Sequence, residues 1–314
     1  MSETRSAAGE NMNRYDIVIV GAGPAGLTAA IYARRASKSV LVLEAKAWGG
    51  QIINTPDIEN YPVVAHISGA DFANDLYNQA VALGAEVKLE KVVGVEELGK
   101  AKLVRSTLAE YEAGAVILAT GSENRKLGVD REQEFTGRGV SYCATCDGNF
   151  FRRKDVAVVG GGNTALEDAL YLADLANKVY LIHRRDAFRG EETTVEQLRR
   201  KENVEIVYNA TVTALLGEKR LSGVELTDKL SGEKRTLEVK GLFVAVGRIP
   251  ENESFRALIQ LDEAGYAVAG ENCRTRTPGV FVAGDNRTKE LRQLVTAAAD
   301  GAVAATEAVK YLNG

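Results

Sequence analysis

Cysteine is scarce, with three in 314 residues, too few for the disulfide framework of a small secreted domain. No apolar run approaches the roughly 20 residues needed to span a bilayer. The polar stretch Met1 to Asn13 lacks the continuous apolar segment of a secretory signal. Neither sign of charge dominates: Lys and Arg total 39 against 43 Asp and Glu, a formal charge of −4, so no basic field gathers nucleic acid. These absences predict a cytoplasmic protein with neither membrane nor nucleic acid among its partners. The length suggests about two domains, each able to bury its own core.

The apolar residues fall into a repeated pattern. Ile17-Val18-Ile19-Val20 predicts a buried strand; a glycine turn follows, then a helical stretch from Leu27 to Ala33, then a second apolar strand, Val40 to Leu43. This βαβ unit recurs as Val156 to Val159, a second glycine turn, a helix through Tyr171-Leu172, and Val179 to Ile182, with Gly21 falling on Gly160 and Glu44 on His183. Solenoid repeats are about 20 to 50 residues long, so a far longer repeat predicts two nucleotide-binding domains of one α/β architecture. Short alternating segments such as Gly223 to Leu226 and Thr236 to Val239 predict an antiparallel meander beside each parallel sheet. The strand Gly279 to Asp285 has no place in the second repeat and is assigned to the first domain, closed by a helix from Gln293 to Leu312. The second domain is therefore expected as an insertion into the first: 14–124 with 251–314 forming the outer domain, 125–250 the inner one.

In Gly21-Ala22-Gly23-Pro24-Ala25-Gly26 the first glycine allows the tight turn, the second lets a pyrophosphate approach, and the third packs helix on strand. Glu44, about 20 residues beyond at a strand end, is placed to hold a ribose diol. The second turn, Gly160-Gly161-Gly162-Asn163-Thr164-Ala165, is followed by His183-Arg184-Arg185 and Arg189, cations where the first unit has a carboxylate. An arginine cluster is often only a solvated face, but alignment with Glu44 favours a 2′-phosphate and makes this the NADPH site.

Cys143-Ala144-Thr145-Cys146 has the spacing of a redox dithiol, and Asp147 directly after it is in reach to exchange the proton that thiol–disulfide exchange requires. The alternative, half of a zinc site, lacks a second ligand pair, since only Cys273, His66 and His183 remain; no metal is expected. Cys273 is assigned no role. Trp48 either covers a flavin or fills core, with core favoured.

Taken together, the two glycine turns, Cys-Ala-Thr-Cys-Asp-Gly, His183-Arg184-Arg185-Asp186 and Gly-Val-Phe-Val-Ala-Gly-Asp resemble the low-molecular-weight thioredoxin reductases, from Tyr15 to Leu312. The resemblance implies two Rossmann-like domains, FAD on the outer and NADPH on the inner. FAD would be held by the first turn, Glu44 and Ala45, Gly49-Gly50-Gln51 and Asn54, Thr120-Gly121, Gly284-Asp285, and Arg292-Gln293-Leu294. Gly247 joins the NADPH side. It further implies that Cys146 faces the flavin, Cys143 attacks the disulfide of thioredoxin, Asp147 is the acid/base between them, and the chain is a homodimer. One departure is Asn149, which precedes Phe150-Phe151 where the family often has two aromatics directly after Asp-Gly.

Three other functions compete. A hydroperoxide-reductase flavoprotein would need an N-terminal module, for which only the residues before Tyr15 are present. A ferredoxin- or flavin-dependent enzyme would not need Arg184, Arg185 and Arg189, and a non-enzymatic nucleotide-binding regulator would leave the dithiol without work. Because dithiol and NADPH site share one domain while the flavin sits on the other, the crossings near 122–127 and 248–253 are expected to act as hinges.

Overall fold

The computed structural model describes residues 13–55 and 57–314; the polar stretch before Asn13 lies outside them. The chain runs β1 (Asn13–Val20), α1 (Pro24–Arg35), β2 (Val40–Glu44), α2 (Gly69–Ala82), β3 (Glu86–Leu89), β4 (Val92–Leu98), β5 (Ala101–Ser106) and β6 (Glu110–Leu118). The strand β7 (Ser122–Asn124) leads to α3 (Glu132–Phe135), β8 (Val140–Ser141), α4 (Ala144–Asp147), β9 (Asp155–Gly160), α5 (Asn163–Ala173), β10 (Lys178–Ile182) and α6 (Glu192–Arg199). There follow β11 (Val204–Val207), β12 (Ala210–Gly217), β13 (Leu221–Asp228), β14 (Lys234–Leu237), β15 (Gly241–Ala245), β16 (Arg248–Pro250), β17 (Val280–Val282) and α7 (Leu294–Asn313).

Two compact units result. One comprises 61–123 and 249–314 with the chain up to Ile53; the other comprises 124–248 together with 54–60. The short segment 54–60 falls with the second unit because its contacts are there: Asn149 Nδ2 donates to Glu59 Oε2 at 3.5 Å. The second unit is an insertion in the first, and β7 and β16, the two passages between them, pair as a two-stranded ribbon.

In the first unit the sheet order is β3-β2-β1-β6-β5-β4, and β17 pairs the later residues of β6 on the flank opposite β1, beyond the reach of β5. The pairs β1/β2, β2/β3, β1/β6 and β6/β17 are parallel, while β4/β5 and β5/β6 are antiparallel. β6 serves both systems, its early residues joining the meander and its later ones the parallel sheet. Covered on both faces, β1 reads as a continuous apolar run rather than an alternating one. Ile17 and Ile19 enter the core shared with α1 and α7, while Val18 and Val20 enter the core under the meander. Complete burial of each such side chain contributes about 1.5–3 kcal/mol.

The second unit repeats the plan: β11-β10-β9-β15-β8 is parallel throughout, and β12-β13-β14 forms the separate antiparallel meander. Val156 and Val158 pack toward α5 and α6, Ala157 and Val159 toward the meander. Among the described residues no helix is long and apolar enough to cross a membrane.

Candidate functional site

In the first unit the glycine turn joins β1 to α1. Gly21 has φ +105°, and a Cβ there would lie 2.4 Å from the Ala119 carbonyl oxygen; one on Gly26 would lie 1.9 Å from that of Gly21. The turn thus needs both glycines to close. Gly23 caps α1 with no side-chain hydrogen bond, and Pro24 begins the helix, so the N–H groups of Ala25 and Gly26 stay open toward an anion. The Gly49-Gly50 loop folds against the turn: Gly49 N–H donates to Ala22 O at 2.8 Å, and a Cβ on Gly50 would approach Gly23 Cα. Beyond it Gln51 and Asn54 are exposed in a short 3₁₀ turn.

Glu44 accepts the Ala22 N–H at 2.7 Å through Oε2 and the Lys46 N–H at 2.9 Å through Oε1. Each oxygen keeps a second lone pair for a ribose hydroxyl; Ala45 between them is exposed. Thr120 Oγ1 accepts from Asn286 Nδ2 at 3.1 Å, and the space beside Gly121 is open. Gly284-Asp285 follows β17, and α7 begins at Leu294 behind a capping box of Gln293 and Thr296. Arg292 lies over the Tyr266 ring at 4.1 Å, with its Nε buried and without a hydrogen bond among the described residues. Room beside Gly23 and Gly121, an uncapped helix start, the Glu44 carboxylate with lone pairs to spare and the Arg292 Nε form a set that fits a flavin dinucleotide. Trp48 stacks on Tyr77 at 4.4 Å, donates to Asn74 Oδ1 at 3.0 Å, and packs against the core.

In the second unit Gly160 lies at the end of β9 against the Ala245 carbonyl and Ala165 Cβ, and Gly162 caps α5 without a side-chain bond and with open space beside it. Asn163 Oδ1 accepts the Glu191 N–H at 2.8 Å, and Arg189 N–H donates to Gly161 O at 2.7 Å, drawing the loop 183–191 over the turn. Thr164 is exposed at the start of α5, and Gly247 has φ +112° with nothing near it. Arg184, Arg185 and Arg189 are exposed, and their guanidinium groups make no hydrogen bond or ion pair among the described residues.

His183 departs from the cationic expectation. It is buried, donates from Nε2 to Ala187 O at 3.0 Å, and lies 5.1 Å from the Phe188 ring; a Cβ on Gly161 would collide with the imidazole. Burial holds its pKa below the ordinary value, and Arg185 and Arg189 lower it further. It supports the loop as a neutral ring; the charge comes from the arginines. An uncapped helix start with three uncommitted cations fits a pyridine nucleotide carrying an extra phosphate.

Cys143 and Cys146 are joined in a disulfide with Cα atoms 5.3 Å apart, Cys143 capping the single-turn α4. Cys146 N–H donates to Cys143 Sγ at 3.2 Å, and Thr145 Oγ1 lies 3.4 Å from the same sulfur. Both contacts favour a thiolate on Cys143 once the bond is reduced. Asp147 Oδ2 accepts from Ser141 Oγ at 2.6 Å, while Oδ1 is buried without a hydrogen bond among the described residues. Burial raises the Asp147 carboxyl above the ordinary carboxylate range, partly offset by Ser141. After the dithiol, Phe151 packs on Phe243 at 5.3 Å and only Phe150 stays exposed, beside the polar Asn149.

Sequence reasoning missed two buried sets. Asn252 and Asn286, both fully buried, join the end of β6 to the segments before and after β17: Asn286 Nδ2 donates to Leu118 O at 3.0 Å, and Asn252 Nδ2 to Asn286 O at 2.7 Å. Arg287 pairs with Asp300 of α7. The one available signal was Asp300 itself, a carboxylate in the run Ala297-Ala298-Ala299-Asp300-Gly301.

The family described as pyridine nucleotide-disulphide oxidoreductase matches residues 15–301. A thioredoxin reductase of Listeria innocua is 42% identical over 95% of this chain and 94% of its own. The crystal structure of thioredoxin reductase from Streptococcus pyogenes superposes with a TM-score of 0.92 at 40% identity, covering 96% of this chain and 99% of that one. A ferredoxin-flavin thioredoxin reductase from Clostridium acetobutylicum is similar at 32% identity and a TM-score of 0.53, over 96% and 99% of the two chains. The chain is thus an enzyme, a flavin and pyridine nucleotide oxidoreductase. It belongs to the pyridine nucleotide-disulphide oxidoreductases and, among them, to the thioredoxin reductases.

Proposed function

We propose that this enzyme reduces oxidised thioredoxin with NADPH, through FAD held by 14–124 with 251–314 and through the Cys143–Cys146 disulfide of the NADPH-binding 125–250. The observation that carries the proposal is the disulfide with the buried, half-satisfied carboxyl of Asp147 beside it. FAD, when bound, supplies the acceptor for hydride from NADPH and the source of the electron pair for the disulfide. Glu44 holds the adenosine ribose, the open N–H groups at the start of α1 hold the pyrophosphate, and Asp285 with Arg292, Gln293 and Leu294 orients the ring end. Arg184, Arg185 and Arg189 grip the 2′-phosphate of NADPH.

Two electrons break the Cys143–Cys146 bond, and one proton from Asp147 leaves one thiol and one thiolate. The Cys143 thiolate, favoured by the Cys146 N–H, attacks the partner's disulfide and forms a mixed disulfide while a partner thiolate leaves. Asp147 then acts in reverse: it takes the proton from Cys146, whose attack on Cys143 re-forms the Cys143–Cys146 disulfide and expels the second partner thiolate, and the two partner thiolates take one proton from Asp147 and one from water to give the dithiol. The uncommitted arginines favour NADPH over ferredoxin as the electron source. The redox dithiol suits a reducing cytoplasm, and the enzyme is proposed to act there as a homodimer.

The test is NADPH oxidation by the flavin-loaded enzyme with oxidised thioredoxin as acceptor. Turnover that needs thioredoxin and disappears in Cys143→Ser supports the proposal; thioredoxin reduced only when ferredoxin replaces NADPH would contradict it.

A further inference from the structure

Asp300 stands inside α7 among alanines and glycines, only 6% exposed. Four hydrogen bonds converge on it. Arg287 forms a fork, Nε to Oδ2 at 2.8 Å and Nη2 to Oδ1 at 2.7 Å; Lys289 Nζ donates to Oδ2 at 2.9 Å, and the Gly284 N–H donates to Oδ2 at 2.9 Å. Gly284 directly precedes Asp285, so the carboxylate fixes the backbone that presents Asp285. These bonds overcome the cost of burial and hold the Asp300 pKa below the ordinary range.

The charges do not cancel. Arg287 and Lys289 are as buried as Asp300, with side chains 5% and 8% exposed, so two cations face one anion. Of the other titratable neighbours, Asp285 adds a carboxylate beside Gly284 and Arg292 a guanidinium, so three cations face two anions and one positive charge remains in surplus. Burial pushes the Cys273 thiol, 3.7 Å from Asp300 O, up to about 11, so it stays neutral. Glu271 acts on Arg287 from an exposed position, where solvent screens it. Arg292 adds a positive group, Nη2 donating to Arg287 O at 3.4 Å. Lys289 Nζ also donates to Thr296 O at 3.2 Å, but the Arg287 fork and the Gly284 N–H already tie the loop to Asp300, and burying a further ammonium carries a desolvation cost. Lys289 therefore calls for a role beyond the tie.

Hydride addition brings two electrons and one proton to an uncharged ring and leaves one negative charge, which a nearby surplus positive charge stabilises. Resting on the proposed flavin site at Gly284-Asp285 and Arg292 to Leu294, we propose that Asp300 is a positioning residue for the flavin loop and that the surplus charge of Lys289 raises the flavin's reduction potential.

The test is a redox titration of the flavin-loaded protein against a reference dye, followed by the flavin's visible absorbance. Lys289→Met leaves the Arg287–Asp300 fork in place, and the reduced-to-oxidised ratio at a fixed potential should fall on the order of tenfold, the scale of losing one unit charge beside the reduced flavin. Lys289→Gln, which keeps a donor without the charge, should fall likewise, and Lys289→Arg should match the parent. An unchanged ratio in Met and Gln variants that retain flavin would overturn the inference alone. Flavin loss with an unaltered potential in the flavin that remains would reduce Lys289 to a structural tie and overturn it equally. A parent protein that binds no flavin would instead bring down the proposed function together with the inference.

Discussion

Replacing Arg185 by Ala tests the cofactor choice at the point where structure and sequence bear on it together. Among the described residues Arg184, Arg185 and Arg189 have no carboxylate partner to give up, so pairing a 2′-phosphate breaks no ion pair there. A hydrogen bond to a charged group contributes about 1.5–3 kcal/mol, and exposure of all three side chains argues for the low end. Each engaged arginine then contributes about tenfold, and two acting together give NADPH an advantage over NADH on the order of a hundredfold in kcat/KM. Arg185→Ala should lower kcat/KM for NADPH about tenfold and leave NADH nearly unchanged, since NADH carries no 2′-phosphate. Because the pairing is exposed, the preference should shrink as the screening length contracts from about 30 Å at 0.01 M salt to about 8 Å at 0.15 M. Steady-state kinetics with each cofactor at both ionic strengths supply the measurement. Equal kcat/KM for the two cofactors in the parent, or equal losses for both in the variant, would refute the reasoning.

Cys146→Ser should leave Cys143 able to trap a thioredoxin lacking its resolving cysteine as a stable mixed disulfide on non-reducing gels; trapping by Cys143→Ser instead would reverse the two roles. Asp168, on α5 and pushed up to about 7 chiefly by burial, with Arg248 pulling the other way, binds a proton in the folded state where the unfolded chain has lost it. Stability should therefore fall as pH rises from about 4 through 7, and Asp168→Asn should flatten that slope in denaturant midpoints; the same slope in both proteins would count against it. The passages at β7 and β16 should serve as hinges, so a cross-link between the units should stop turnover while both cofactors remain bound, and a fully active cross-linked enzyme would remove the need for two orientations.

The architecture was legible because its signals are local. Each glycine turn sits between an apolar strand and a helix, and the correspondence of Gly21 with Gly160 announces the duplication before any contact is known. The Cys143/Cys146 spacing and the neighbouring Asp147 are equally local. What escaped was set by distant contacts. Asn286 reads as an ordinary turn residue until its amide meets the Leu118 carbonyl. His183 reads as one more basic residue until Gly161, lacking a side chain, lets the ring pack into the turn. The segment 54–60 follows the first unit in sequence, yet Glu59 meets Asn149 of the second. Asp300 was visible as a charge out of place, but nothing local names Arg287 and Lys289 as its partners.

Electron counting shows whether electrons from NADPH pass through a bound flavin to the Cys143–Cys146 disulfide. Flavin and disulfide each accept an electron pair, so an anaerobic titration of the oxidised enzyme should consume about two equivalents of NADPH per chain and expose the two thiols of Cys143 and Cys146 to an alkylating reagent. A variant with both cysteines replaced by serine should consume about one. Identical uptake by parent and variant, with the parent's disulfide intact at the end of the titration, would contradict the account.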